Sequence, residues 1–159
     1  MFFQFLYPMK RKRICIIIFV PLLTLIFGQG VSQVVINEYS CSNLDQYPDN
    51  FGKYEDWIEL YNVGTSSVNM AGYYLSDDSL NNMKWQFPSG ISIASYGFLR
   101  LWASDRDTVI SSSYHTNFKL TQTKNNNEFI TLSNASGVII DQKEITQRTQ
   151  LGHSIGRIT

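Results

Sequence analysis

From residue 33 onward the chain is written in short runs of alternating apolar and polar positions separated by turn-forming residues. The runs are "QVVINEYS" (33–40), "DWIELYN" (56–62), "SVNMAGYYLS" (67–76), "MKWQFP" (83–88), "ISIA" (91–94), "GFLRLWA" (97–103), "NEFITLS" (127–133) and "GVIIDQKEI" (137–145). Each has the length, period and β-branched or aromatic content of a strand. The segments "NVGTS", "DDSLNN", "PSG", "SYG", "KNNN" and "NASG" between them are rich in Gly, Asn, Ser and Asp, which favour turns. No run carries a helical repeat, so the pattern predicts an all-β fold of about eight strands, a sandwich or a barrel. The longest stretches without such a pattern, 41–55 and 104–116, are expected to be surface loops, where a site is most readily built.

A period of two assigns the faces. In "DWIELYN", Trp57, Glu59 and Tyr61 share one face, and Asp56, Ile58, Leu60 and Asn62 share the other. Ile58 and Leu60 are the expected core pair, which puts Glu59 among aromatic flanks on an outer or loop-covered face. By the same rule Trp85 goes with Phe87, and Phe98, Arg100 and Trp102 lie opposite Leu99 and Leu101. In "HTNFKL" (115–120), Phe118 and Leu120 are expected to point inward and Lys119 outward.

The first 32 residues follow a different logic. A basic "MKRKR" (9–13), an apolar "ICIIIFVPLLTLIF" (14–27) and a small-residue tail "GQGVS" (28–32) have the three regions of a secretory signal peptide. The apolar run is short for a membrane span and is broken by Pro21. The expectation is therefore a signal peptide over 1–32, cleaved after Gly30 or Ser32, with Met9 as an alternative start. One domain over 33–159 would follow, secreted or held at the cell surface, without a transmembrane span after cleavage.

Removing that segment changes the charge balance. Residues 31–159 keep nine Lys and Arg against thirteen Asp and Glu, and residues 31–78 hold eight of those acids against Lys53 alone. Nucleic-acid binding needs a basic surface that displaces counterions from phosphates, so no nucleic-acid partner is expected. Cys41 is the one cysteine left after cleavage, which precludes an internal disulfide. It reads as a small buried apolar residue, the alternative being a free thiol available for an intermolecular bridge.

The chemistry-bearing residues do not assemble into an active site. Asp77-Asp78, Asp105-x-Asp107, Glu38 and Glu59 are the carboxylates of interest. Asp77 and Asp78 are the calcium candidates, although a turn in which Asp carboxylates accept nearby backbone N–H groups accounts for them equally. "DQYPDNFG" (45–52) has acids but lacks the spacing and closing Glu of a calcium loop. His115 and His153 lack a nucleophile elbow, a zinc-binding helix motif or a phosphate-cradling glycine loop. Neither catalysis nor a cofactor is expected, calcium being the one ion considered.

The blocks "VVINEYSCSN", "DWIELYNVGTSSVNMAGYYLSDD", "KWQFPSGISIASYGFLRLWASD", "HTNFKL" and "HSIGR", in that order, resemble the lamin tail domain family in its bacterial secreted branch. The resemblance implies an immunoglobulin-like β-sandwich and a noncatalytic module of exported or surface proteins, often found beside other domains, including hydrolases. Bacterial members usually continue after the "GR" element, whereas this sequence stops at "GRIT", which reads either as a truncated gene product or as the N-terminal part of a longer protein. The expected function is recognition of a protein or a cell-surface polymer through an exposed strand edge or loop face. Trp57, Tyr61 and Tyr73 or Tyr74 are the contact aromatics, with Glu59 among them. A calcium- or carbohydrate-dependent adhesion module and an accessory domain of a larger exported hydrolase are the alternatives.

Overall fold

A computed structural model describes residues 33–122, 128–145 and 151–158; the signal-peptide expectation for 1–32 lies outside these residues. Among the described residues no helix is long and apolar enough to cross a membrane. They form β1 (Val34–Ser40), β2 (Asp56–Asn62), β3 (Val68–Asn69), β4 (Tyr74–Ser76), β5 (Trp85–Gln86), β6 (Ser92–Ile93), β7 (Phe98–Ala103), β8 (Thr108–Ile110), β9 (Ser113–His115), β10 (Glu128–Ser133), β11 (Ile139–Ile145) and β12 (Ile155–Gly156). One sheet runs β12-β1-β2-β7-β9-β8, a second runs β11-β10-β4-β5, and β3 and β6 form a short ribbon. The pairings are antiparallel except that β7 runs parallel to β9.

The core lies between the two larger sheets. Ile36, Tyr39, Ile58, Leu60 and Leu101 from one meet Leu75, Trp85, Ile130 and Leu132 from the other, and Phe87, Ile93 and Phe118 complete the cluster. Each such side chain contributes about 1.5–3 kcal/mol by leaving water. In β1 the register against β2 shifts between Ile36 and Glu38. The extra residue of this bulge lets Val34, Ile36 and Tyr39 all reach the core, where strict alternation would turn Tyr39 outward.

Where sequence and structure differ, the reasons are local. The 67–76 run is broken by a turn in which Gly72 adopts φ +81 and donates its N–H to Phe87 O. The pieces on either side join different sheets, as β3 and β4. Segment 104–116 is not a plain loop, because its second half forms the β8–β9 hairpin at the sheet edge. Val109 and Ile110 are exposed there, so the hairpin lacks the alternation that reveals a half-buried strand. Segment 41–55, by contrast, contains no strand.

Candidate functional site

Strands β1, β2 and β7 present three rungs on the outer face of the larger sheet. Cross-strand pairing sets Tyr61 beside Phe98, Glu59 beside Arg100, and Trp57 beside Trp102. Tyr61 and Phe98 stack with ring centroids 4.6 Å apart, and Phe98 is 59% exposed. In the middle rung, Arg100 Nη2 donates to Glu59 Oε2 at 3.3 Å and Asn37 Nδ2 donates to Glu59 Oε1 at 3.0 Å. On the third rung Trp57 is only 3% exposed although it points away from the core. Tyr47 of the 41–55 loop lies edge-on to it at 5.8 Å, and the Arg100 guanidinium lies over both the Tyr47 and Trp57 rings, 4.0 and 4.8 Å from their centroids. Trp57 is thus the floor of the site, and Tyr47 takes the exposed position.

The loop that brings Tyr47 there is held by buried polar groups. At its start, Asn43 Nδ2 donates to Tyr47 O and Glu55 O, and its Oδ1 accepts from Gln46 N–H. At its tip, Asp49 Oδ1 accepts from the N–H groups of Phe51 and Lys53, and Oδ2 pairs with Arg106 Nη1 at 2.7 Å. Arg106 also reaches Glu55 through Nη2 at 2.9 Å. Asp105 and Asp107, grouped by sequence with the chemistry-bearing carboxylates, are exposed residues in left-handed conformations, φ 60 and φ 46. They bend the chain on both sides of Arg106 so that it faces the loop, and Asp tolerates that conformation better than most residues. Asp49, within the 45–52 stretch, and Glu55, just beyond it, thus both meet the positive charge of Arg106.

His115 fastens the same loop from β9. Its Nε2–H donates to Asn50 Oδ1 at 2.7 Å, and its Nδ1 accepts from the Ser104 hydroxyl at 2.8 Å. Phe51 packs edge-on to the ring at 5.3 Å. Burial lowers the imidazole pKa, and Arg106 adds to the shift while Asp49 opposes it, so this histidine acts as a neutral strut. Phe118 and Leu120 are buried and Lys119 is exposed, as the alternation predicts.

The remaining sequence candidates lie elsewhere. Tyr73 packs against the core, and Tyr74 sits on β4 of the other sheet, where its hydroxyl accepts from Gln86 Nε2. They do not join Trp57, Glu59 and Tyr61. Asp77 is buried against Lys84 Nζ at 2.6 Å, and Asp78 Oδ1 accepts the Leu80 N–H as a turn residue. Cys41 is buried, and burial beside Asp56 and Glu128 pushes its thiol pKa upward, which keeps it protonated. Phe98, Arg100, Tyr47 and Arg106 were not among the sequence candidates. The alternation of "GFLRLWA" already placed Phe98 and Arg100 on the outer face, but no local pattern shows that Tyr47 and Arg106 fold onto it.

Asp56 gives the site's underside a pH dependence. Burial pushes its carboxyl up to about 6 from 3.8; the Asn43 N–H works against this, and the Glu55 charge adds to it. A carboxyl whose folded pKa is raised contributes stability that is intact below the unfolded value, near 3.8, and lost as pH rises through about 6. Asp56→Asn, whose amide oxygen can still accept from Asn43, should raise the melting temperature at pH 7–8 and have no such benefit near pH 4. The partly solvated position limits the gain to about 1–2 kcal/mol. Parallel melts of both proteins across pH 4–8 check this.

The Lamin Tail Domain family matches residues 29–147, well over half of the chain. The chain belongs to the lamin tail domain family. The two packed sheets are accordingly the family's immunoglobulin-like sandwich, and the family is noncatalytic in character. The match takes in the whole lamin-tail face built on β1, β2, β7 and the 41–55 loop. β12 and the 151–158 segment follow it. That segment closes on the domain through Arg157, whose Nε donates to Ile36 O and whose Nη2 pairs with Asp141. No curated protein matches the chain.

Proposed function

We propose that this lamin tail domain is a noncatalytic interaction module of an exported or cell-surface protein, and that it recognises a protein or surface polymer through the outer face of β1, β2 and β7. The observation that carries the reading is the exposed aromatic strip. The Tyr61–Phe98 stack and Tyr47 lie at either end of the Arg100–Glu59 pair, and Leu44, Phe51 and Tyr54 are exposed on the adjoining loop. Exposed aromatic groups on either side of a fixed charge pair suit a binding surface, where tyrosine, tryptophan and arginine dominate the energetics. Two further features favour recognition over reaction. Asp49, Glu55 and Glu59 are each engaged by an arginine, and the one buried histidine is spent on holding the loop.

The test is binding of the purified domain to envelopes of the source cells. Tyr61→Ala combined with Phe98→Ala should weaken binding at least about tenfold while the melting temperature moves little, since the pair lies on the outer face. Tyr74→Ala on the other sheet should leave binding unchanged. Loss with Tyr74→Ala and retention with the double variant would place the binding surface on the wrong sheet.

Export rests on the basic, apolar and small-residue order of 1–32. N-terminal sequencing of the native product should give a start at Val31 or Gln33. A product that keeps Met9 and sediments with membranes would instead mean an uncleaved anchor.

A further inference from the structure

Strand β11 carries a lysine on the core face of its sheet. From Asp141 to Ile145 its register against β10 is regular, and Lys143 pairs with Ile130, which is fully buried. Cross-strand partners share a face, so the Lys143 side chain leaves β11 on the side that carries Ile130 and Leu132. Its neighbours at a spacing of two agree: Asp141 Oδ2 accepts the Ile36 N–H of β1, and Ile145 joins the core. β11 ends one sheet and β12 ends the other. At the seam between them lies a cleft of about 250 Å³, lined by Tyr39, Lys143, Glu144, Ile155 and Arg157 among others. Lys143 is the cation of this cleft without an ion pair. Among the described residues Lys84, Arg100, Arg106, Lys119 and Arg157 each meet a carboxylate, whereas Lys143 and the exposed Lys53 do not. An ammonium turned toward the core side of a sheet favours a negative partner.

We propose that this cleft binds a carboxylate borne on a short apolar body, with the acid group on Lys143 Nζ and the body against Ile155 and Tyr39. Charge selects the acid. Arg157 is spent on Asp141, and Glu144 stands at the same cleft, so one open positive charge suits a single negative charge and disfavours a phosphate dianion. Volume selects the body, since about 250 Å³ lies below the range of pockets that enclose drug-sized ligands. A free small acid and the apolar C-terminal residue of a protein chain share this chemistry. An inward-turned lysine on an edge strand also deters edge-to-edge pairing, but that role needs no cleft beside the ammonium. The cleft shares no lining residue with the Tyr61–Phe98 stack or with Tyr47, so it stands apart from the recognition face.

The test is a titration of the nitrogen-15-labelled protein with hexanoate, N-acetylleucine and an acetylated tripeptide ending in leucine. At about 20 mM, enough to fill a millimolar site, at least one of them should move the backbone amide signals of Ile155 and Gly156. The corresponding amides, which lack the charge, and inorganic phosphate should leave those signals in place. Lys143→Met, which keeps an unbranched apolar side chain, should weaken the response at least about tenfold, and Lys143→Arg should retain most of it. A response to the tripeptide alone assigns the site to a protein C-terminus, and an equal response to hexanoate assigns it to free acids. Still signals with all three carboxylates overturn the proposal, as does an equal response to their amides or a stronger one to phosphate. A Lys143→Met protein that binds as the parent does but self-associates shows that the lysine only guards the sheet edge, and overturns it too.

Discussion

Asp49→Ala should lower the melting midpoint by about 10 °C and release the 41–55 loop from the sheet. The carboxylate has no solvent exposure and answers three donors, the Phe51 and Lys53 N–H groups and Arg106 Nη1. Breaking a fully buried ion pair costs about 3–5 kcal/mol. Here Arg106 is 28% exposed and keeps Glu55, so about 2–3 kcal/mol is the appropriate part of that range. Asp49→Asn separates the two contributions. It retains an oxygen for the backbone donors and loses only the charge against Arg106, so it should recover roughly half of the loss. Because the loop carries Tyr47 over Trp57, the alanine variant should also red-shift tryptophan emission and weaken envelope binding. An unchanged midpoint and unchanged emission would mean that the loop is held by Asn43 and His115 alone.

The fold was legible because most of its strands are amphipathic. Ile58 and Leu60 against Glu59 and Tyr61, or Leu101 against Arg100, announce both a strand and its faces. The β8–β9 hairpin was not, since an edge hairpin with exposed Val109 and Ile110 has no buried side to print an alternation. The phase of β1 was hidden for another reason, because a bulge changes which residues face inward without changing composition.

The site was half legible. Trp57, Glu59 and Tyr61 were placed on one face by period alone, and β2 holds them there. Depth could not be read, because whether an outward tryptophan meets water depends on what the chain lays over it 10 residues earlier, at Tyr47. Nor could the loop's order be read from its acids. Asp45, Asp49 and Glu55 look like the beginnings of a calcium loop, and the cation that meets two of them is Arg106, from a turn 57 residues from Asp49. A charge pair so distant in sequence leaves no local signature. The tyrosines at 73 and 74 lie apart from this face, Tyr74 on β4 of the other sheet and Tyr73 packed against the core, a separation that no local pattern prints.

The same strand that displays Trp57, Glu59 and Tyr61 anchors the fold with its other side, and Asn62 is where that anchor is strongest. It is fully buried at the inward end of β2. Its Nδ2 donates toward Ser66 O, Ile93 O and Ala94 O at 2.8, 3.1 and 2.9 Å, and its Oδ1 accepts from Gly64 N–H at 2.9 Å. One side chain thus joins the turn after β2 to the turn between β6 and β7. Asn62→Ala would strip a buried N–H and several carbonyls of their partner at once, and the expected loss is about 3–4 kcal/mol, read as a lower denaturant midpoint. Asn62→Asp makes the sharper comparison. It keeps the acceptor for Gly64 and turns a carboxylate oxygen toward three carbonyls, an arrangement tolerable only when the acid is protonated and can donate. Its folded-state pKa must then lie above the ordinary aspartate value, so stability is present at low pH and lost as pH rises through that raised value. Asn62→Asp should therefore be at least as damaged as Asn62→Ala at pH 8 and regain stability toward pH 4, whereas the alanine variant should show no such recovery beyond that of the parent chain. Equal pH profiles for the two variants would show that the three carbonyls do not depend on a donor at this position.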